Sequence, residues 1–165
     1  MTFLVAYVRG LNASAAMVAM VWTVLGCAMV SSAFLWRRVV AANNGGLAMA
    51  AMGLLGAACA LLPLLSSALP VLLLSAVGFG VATMPVFTAV GMLVRRHLPS
   101  EAWNDAFARA TVIFAVGQSL GPFLSGALSD RFGLTASLWW TAVLLCIAAA
   151  VVLRQKPRFA VEKIN

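Results

Sequence analysis

ASAAMVAMVWTVLGCAMVSSAFLW, residues 13–36, runs without a charge and is closed by Arg37 and Arg38. A helix rises about 1.5 Å per residue and the hydrocarbon core of a bilayer is about 30 Å thick, so about 20 apolar residues are enough to cross. Four more apolar stretches follow, at residues 47–65, 70–94, 105–128 and 134–153, and the short loops between them carry almost every charge. Helices satisfy every backbone polar group within lipid, and the only other way is to close a barrel. The pattern therefore predicts an all-α fold, a polytopic transmembrane helical bundle of five spans. Residues 1–8 are also apolar but would reach only about 12 Å as a helix, too short to cross, and read as a partial N-terminal helix.

Hydrophobic residues make up 64% of the chain and charged residues 9%, against about a quarter charged in soluble domains, which excludes a water-soluble fold. The net charge of +7 raises nucleic acid as a partner. Such a surface gathers Lys and Arg on one face beside groups that read or stack on bases, whereas here they occupy loops and a tail. They are expected to set topology and meet anionic headgroups, with the lipid bilayer as partner and no nucleic acid. Cys27, Cys59 and Cys146 sit inside apolar stretches without CxxC spacing or a nearby His, and read as small core hydrophobes. The uncharged residues 1–8 lack the basic region of a secretory signal, so no cleavable leader is expected.

Asn43-Asn44-Gly45-Gly46 is a breaker after the first span. After the link at residues 66–69, Pro70 opens the third span where its missing N–H costs least; Arg95, Arg96 and His97 end it. Pro99-Ser100-Glu101 has the order of a helix start, with Ser100 as N-cap and Glu101 near the positive dipole end. Residues 129–133, Ser-Asp-Arg-Phe-Gly, read as a compact turn, and residues 154–165 as a basic, mobile tail.

Counting Lys and Arg on alternating sides orients the chain. Arg37, Arg38, Arg95, Arg96, Arg109, Arg154, Lys156, Arg158 and Lys163 fall on one side, and only Arg9 and Arg131 on the other. The nine mark the cytoplasm, so the tail is expected inside and the turns at Arg9, Ser66 and Asp130 outside. Trp36 and Trp103 fit an inner aromatic belt, Trp139 and Trp140 an outer one.

The richest motif is Gly117-Gln118-Ser119-Leu120-Gly121-Pro122-Phe123-Leu124-Ser125-Gly126. Gly117, Gly121 and Ser125 form a ridge of small residues on which a neighbouring helix can pack closely, and Pro122 removes a backbone bond and bends the outer third. Packing and gating both remain open as roles for these residues.

This pattern resembles the glycine-proline motif of major facilitator superfamily exporters, carried in their fifth helix, whose symmetry mate is the eleventh. The wider match, residues 2–9, Trp22 to Gly26, Trp36-Arg37 and Ala115 to Asp130, resembles the C-terminal half of YbfB/YjiJ-type facilitator transporters and covers nearly all of residues 2–153. The resemblance implies that residues 1–8 end helix seven, that the spans are helices eight to twelve, and that the chain lies in a bacterial inner membrane with its C-terminus cytoplasmic. It implies transport of a small solute by alternating access, with a partner N-terminal six-helix half that this chain lacks; the chain is then a fragment or split product. Gly126-Ala127-Leu128-Ser129-Asp130-Arg131-Phe132-Gly133 also fits the superfamily's cytoplasmic loop between helices two and three, but that would turn nine positive charges outward. The charge count makes it the outward turn after helix eleven.

The resemblance places helices seven, eight, ten and eleven around a cavity, which directs attention to the first, third and fourth spans. Thr111, Phe114, Gln118 and Pro122 recur on one helical face beside the glycine ridge. Gln118 is the least lipid-compatible uncharged residue there, either a substrate or gating contact or an interhelical hydrogen bonder. Gly78, Gly80 and Pro85 around Thr83 would loosen the third span, as a hinge or a tolerated kink. Phe79, Thr83 and Phe87 share a face, lining a pocket or filling core. Trp22 and Tyr7 are further lining candidates, with interfacial anchoring as the alternative. Arg109, near the cytoplasmic end, snorkels or pairs with Asp105 four residues earlier, or else binds an anion or locks a conformation.

Glu101, Asp105, Asp130 and Glu162 all lie in loops, at a helix start or in the tail, and the sole His is His97. No deep carboxylate is available as a proton relay, and no nucleophile, metal cluster or phosphate loop suggests an enzyme or a cofactor. Two readings stand: half of a facilitator-type carrier whose small-molecule substrate the sequence does not name, or a self-contained five-helix protein that oligomerises through Gly117, Gly121 and Ser125.

Overall fold

The computed structural model describes residues 10, 14–42 and 46–154. Tyr7, the partial helix at residues 1–8, Arg9, the breaker at residues 43–45 and the tail beyond Arg154 lie outside them. Six helices follow one another: α1 (Ala15–Ala42), α2 (Gly46–Leu65), α3 (Leu69–Thr83), α4 (Pro85–His97), α5 (Trp103–Phe132) and α6 (Leu134–Leu153), with a 3₁₀ turn at Ser100–Ala102 before α5. The fold is all-helical, and with α3 and α4 taken as one bent span it has five stretches long and apolar enough to cross a membrane.

The spans sit side by side in the order α1, α3, α2, α6, α5, and α4 turns from the end of α3 toward both α1 and α5. Lipid gives no hydrophobic drive for helices to associate, so van der Waals contact at small residues must hold them together. A methyl group at Gly80 would lie 2.9 Å from both the Ala28 Cβ and the Leu25 carbonyl oxygen, and one at Gly53 only 3.1 Å from the Leu145 carbonyl oxygen. Gly80 thus lets α3 close on α1, and Gly53 lets α2 close on α6. Val21, Leu25 and Ala76 fill the first seam, while Cys59, Ala60 and Phe79 fill the one between α2 and α3.

Pro63 lies inside α2 and has no N–H to offer the carbonyl of Cys59, four residues earlier. The Ser75 hydroxyl of α3 donates to that same oxygen at 2.7 Å, and Ser75 is buried. One helix repairs the break in its neighbour. Gly78, a turn further on, makes room for the Cys59 sulfur, with which any Cβ would collide.

Several sequence expectations need correction. The first span does not stop at Arg37 and Arg38 but continues to Ala42, because Val40 is buried with Ala48, Met52 and Ala89 and Arg96 Nη2 donates to the Ala41 carbonyl at 2.8 Å. Gly78 and Gly80 are close-packing points rather than loosening ones. The third residue of that expectation, Pro85, does mark an interruption: the helix breaks at Met84, and the Pro85 ring leaves the Val81 carbonyl without its helical donor. Ser100 is no N-cap; it opens the 3₁₀ turn and donates to Glu101 Oε1 at 3.0 Å. Residues 129–132 are the last turn of α5, and the reversal falls on Gly133 alone, at φ 83°, a left-handed conformation that glycine adopts without strain. Of the three cysteines only Cys59 is in the core; Cys27 and Cys146 are exposed on the bundle surface.

Candidate functional site

The candidate residues gather on α5. Thr111, Phe114, Gln118, Gly121 and Ser125 follow one another at three- and four-residue steps, which sets them along one face. Ser125 is the one buried residue of the helix. Thr111, Phe114, Gly117, Gln118 and Pro122 are exposed and Gly121 nearly so, and methyl groups at Gly117 and Gly121 would meet nothing within 4 Å. The Gly117 and Gly121 part of the small-residue ridge thus has no close neighbour among the described residues, while Ser125 at its end is buried.

Two of the candidates meet. Phe87 of α4 and Phe114 of α5 pack edge to face, centroids 4.6 Å apart and planes at 84°, an arrangement in which the edge of one ring meets the negative face of the other. Phe79, Thr83 and Phe87 are not one wall, for their contacts differ across the interruption at Met84. Phe79 is core against Cys59 and Ala60, Thr83 donates its hydroxyl to the Phe79 carbonyl at 3.0 Å, and only Phe87 turns to α5. Trp22 stands on α1, about half exposed, with no contact to this pair that would join it to the site.

The Ser129 hydroxyl is buried and unpartnered among the described residues, but two other hydroxyls on α5 are spent locally: Thr111 donates to the Phe107 carbonyl at 2.8 Å and Ser119 to the Ala115 carbonyl at 3.0 Å. Each keeps only acceptor capacity toward the open face. Gln118 carries the free amide at that level. Its own carbonyl loses its α-helical donor because Pro122 has no N–H, and no side-chain donor among the described residues reaches it.

At the end of α5 carrying its N-terminus, Arg109 Nη2 lies 2.8 Å from Asp105 Oδ2, with both side chains more than 60% exposed. Pairing along the helix is therefore the arrangement present. Arg95 stacks over the Trp103 ring at 5.3 Å, close enough for a cation–π attraction, while the Trp103 indole donates to the Leu98 carbonyl at 3.0 Å. With Arg96 on Ala41, the two arginines at the end of α4 tie it to α5 and to α1. Trp36, in contrast, packs against the Val40 core with its indole N–H buried and unpartnered among the described residues. Trp139 is exposed, whereas Trp140 buries its N–H in the same way.

Sequence reading missed Ser75, the arginine ties and the Phe87–Phe114 pair. Only Ser75 had a signal: a proline within a span implies an orphaned carbonyl four residues back, and so a donor nearby. No group of His, Cys, Asp and Glu among the described residues is arranged to hold a metal ion.

No curated protein and no solved structure matches the chain. The family model described as "Uncharacterised MFS-type transporter YbfB" matches residues 1–153, so the chain belongs to the YbfB-type branch of the major facilitator superfamily, a family of membrane transporters.

Proposed function

We propose that these five spans act as the C-terminal half of a secondary carrier for a small solute. They work by alternating access with a six-helix N-terminal half, in the inner membrane of a bacterium, with the chain's C-terminus in the cytoplasm. The observation that supports this reading most is the bare face of α5. A mid-membrane glutamine, two uncovered glycines and a proline are poor residues to show to lipid, and good ones to show to a cavity or a facing helix. Carriers of this superfamily hold solute between two halves near the midplane. Nine of the eleven Lys and Arg residues fall on one side of the spans, which supports a cytoplasmic tail. Residues 1–153 constitute the transmembrane domain and residues 154–165 a basic extension.

The test is genetic and then functional. If coding DNA upstream of the Met1 codon specifies six further apolar spans, that segment and this chain, expressed together, should restore solute uptake or efflux that neither supports alone. Absence of flux with both halves inserted in the membrane overturns the reading. A defined homo-oligomer that is lost in Gly121→Leu would point to the self-contained protein instead.

A further inference from the structure

Three guanidinium groups gather where α1 ends beside α4. Arg96 of α4 reaches across to the Ala41 carbonyl of α1 at 2.8 Å. Arg37 and Arg38 stand four and three residues before Ala41, one turn away on the same side of α1, and both are exposed. Like charges this close repel, and an anion between them removes the cost. No acidic side chain among the described residues pairs with Arg37 or Arg38. Asp105 is held by Arg109 at 2.8 Å, Glu101 accepts from the Ser100 hydroxyl, and Asp130 lies at the opposite end of α5.

Depth and shape name the anion. From Ala15 to Arg37, α1 rises about 33 Å, enough to cross a hydrocarbon core of about 30 Å and reach the headgroups. Phe34 and Val30 precede Arg38 at four-residue steps, so they lie beneath it on one face of α1, and each is 72% exposed. A ligand for this strip carries negative charge above and hydrocarbon below. A free phosphate has nothing to lay on Phe34 and Val30.

We infer that this end of α1 and α4 binds one anionic phospholipid. Its phosphodiester is shared by Arg37, Arg38 and Arg96, and an acyl chain runs down Phe34 and Val30. A guanidinium fork matches phosphate oxygens in pairs, so the bound headgroup also clamps α4 to α1 beside the Ala41 bond. Every basic residue near a membrane feels a diffuse attraction to anionic lipid. A site built from two helices makes the arginines unequal instead: Arg109, paired with Asp105, and Arg154, beyond α6, take no part. The site is independent of whether the chain carries a solute.

The probe is phosphatidylglycerol spin-labelled near the methyl end of one acyl chain, in phosphatidylcholine bilayers holding the full-length chain at fixed ionic strength. Electron spin resonance reads the fraction of label immobilised on the protein, against the same label on phosphatidylcholine. Phosphatidylglycerol should be preferred by at least about threefold. The preference should fall by roughly half or more in Arg38→Gln and in Arg96→Gln, and stay unchanged in Arg109→Gln and Arg154→Gln. Arg38 is exposed, so Arg38→Gln still tests the site if Arg96→Gln, which also loses the Ala41 bond, fails to insert. No preference for phosphatidylglycerol overturns the inference. So does one that all four substitutions lower alike, which means a diffuse field only. Glycerophosphoglycerol, the same headgroup without chains, should leave the immobilised fraction intact; displacement by it means that phosphate alone is read, and overturns the lipid assignment.

Discussion

A proline inside a membrane helix leaves an orphaned acceptor, and the repair of that acceptor can be measured one residue at a time. Ser75→Ala removes the donor to the Cys59 carbonyl while hardly changing volume. The cost should be about 1–2 kcal/mol, between that of an orphaned buried carbonyl and the smaller averages found between membrane helices. In a Pro63→Ala background the substituted residue supplies the missing N–H, so the same change should cost clearly less; equal losses in reversible detergent unfolding would show that the Ser75 bond does not answer the proline. The glycines separate in the same assay. Gly80→Ala forces a methyl group against α1 and should destabilise by about 1–3 kcal/mol. Gly117→Ala meets open space and should be neutral or stabilising by up to about 1 kcal/mol through helix propensity. Both glycines sit in apolar spans and read alike in sequence. Whether a glycine loosens a helix or seats a neighbour depends on what lies across from it, which no local pattern contains.

Elements were more legible than residues, and the reason is length. Spans expected at 47–65 and 134–153 appear as Gly46–Leu65 and Leu134–Leu153, since bilayer thickness and Gly or Pro punctuation fix both ends. The run past Arg37 was hidden because it depends on tertiary burial of Val40 and on the Arg96 cap of Ala41. The same holds for the aromatic stripe at Phe79, Thr83 and Phe87, which helical spacing puts on one face while Phe79 packs in the core and Phe87 on Phe114. α4 is attached to α5 by Phe87 on Phe114, and a double-mutant cycle with alanine at both positions should return about 0.5–1.5 kcal/mol of coupling. The Asp105–Arg109 pair, exposed and within one helix, should contribute less than about 0.5 kcal/mol when Asp105→Asn breaks it. A coupling near zero for the aromatic pair would show that Arg95 on Trp103, rather than Phe87 on Phe114, holds α4 to α5.

At the scale of the whole molecule, the charge asymmetry and the bare face of α5 make separate claims. Orientation is tested in a chain whose Cys27, Cys59 and Cys146 are replaced. A cysteine at Asp130 should react with a membrane-impermeant maleimide added to intact cells, and one at Ser100 only after the membrane is opened; the opposite pattern would turn the nine basic residues outward and void the topology. The bare face calls for a different contrast, between folding and work. Gly121→Leu adds a large apolar side chain where a Cβ meets nothing within 4 Å among the described residues, so unfolding of the chain alone should change by less than about 0.5 kcal/mol, as for a substitution away from any packed site. If this face meets the other half of a carrier, as proposed, the same side chain would stand against it, and flux should fall at least tenfold with insertion unchanged. A leucine that spares both folding and flux would mean that this face meets only lipid, and that the solute path runs elsewhere in the bundle. One that unfolds the chain by itself would mean that α5 packs more tightly than its open face suggests.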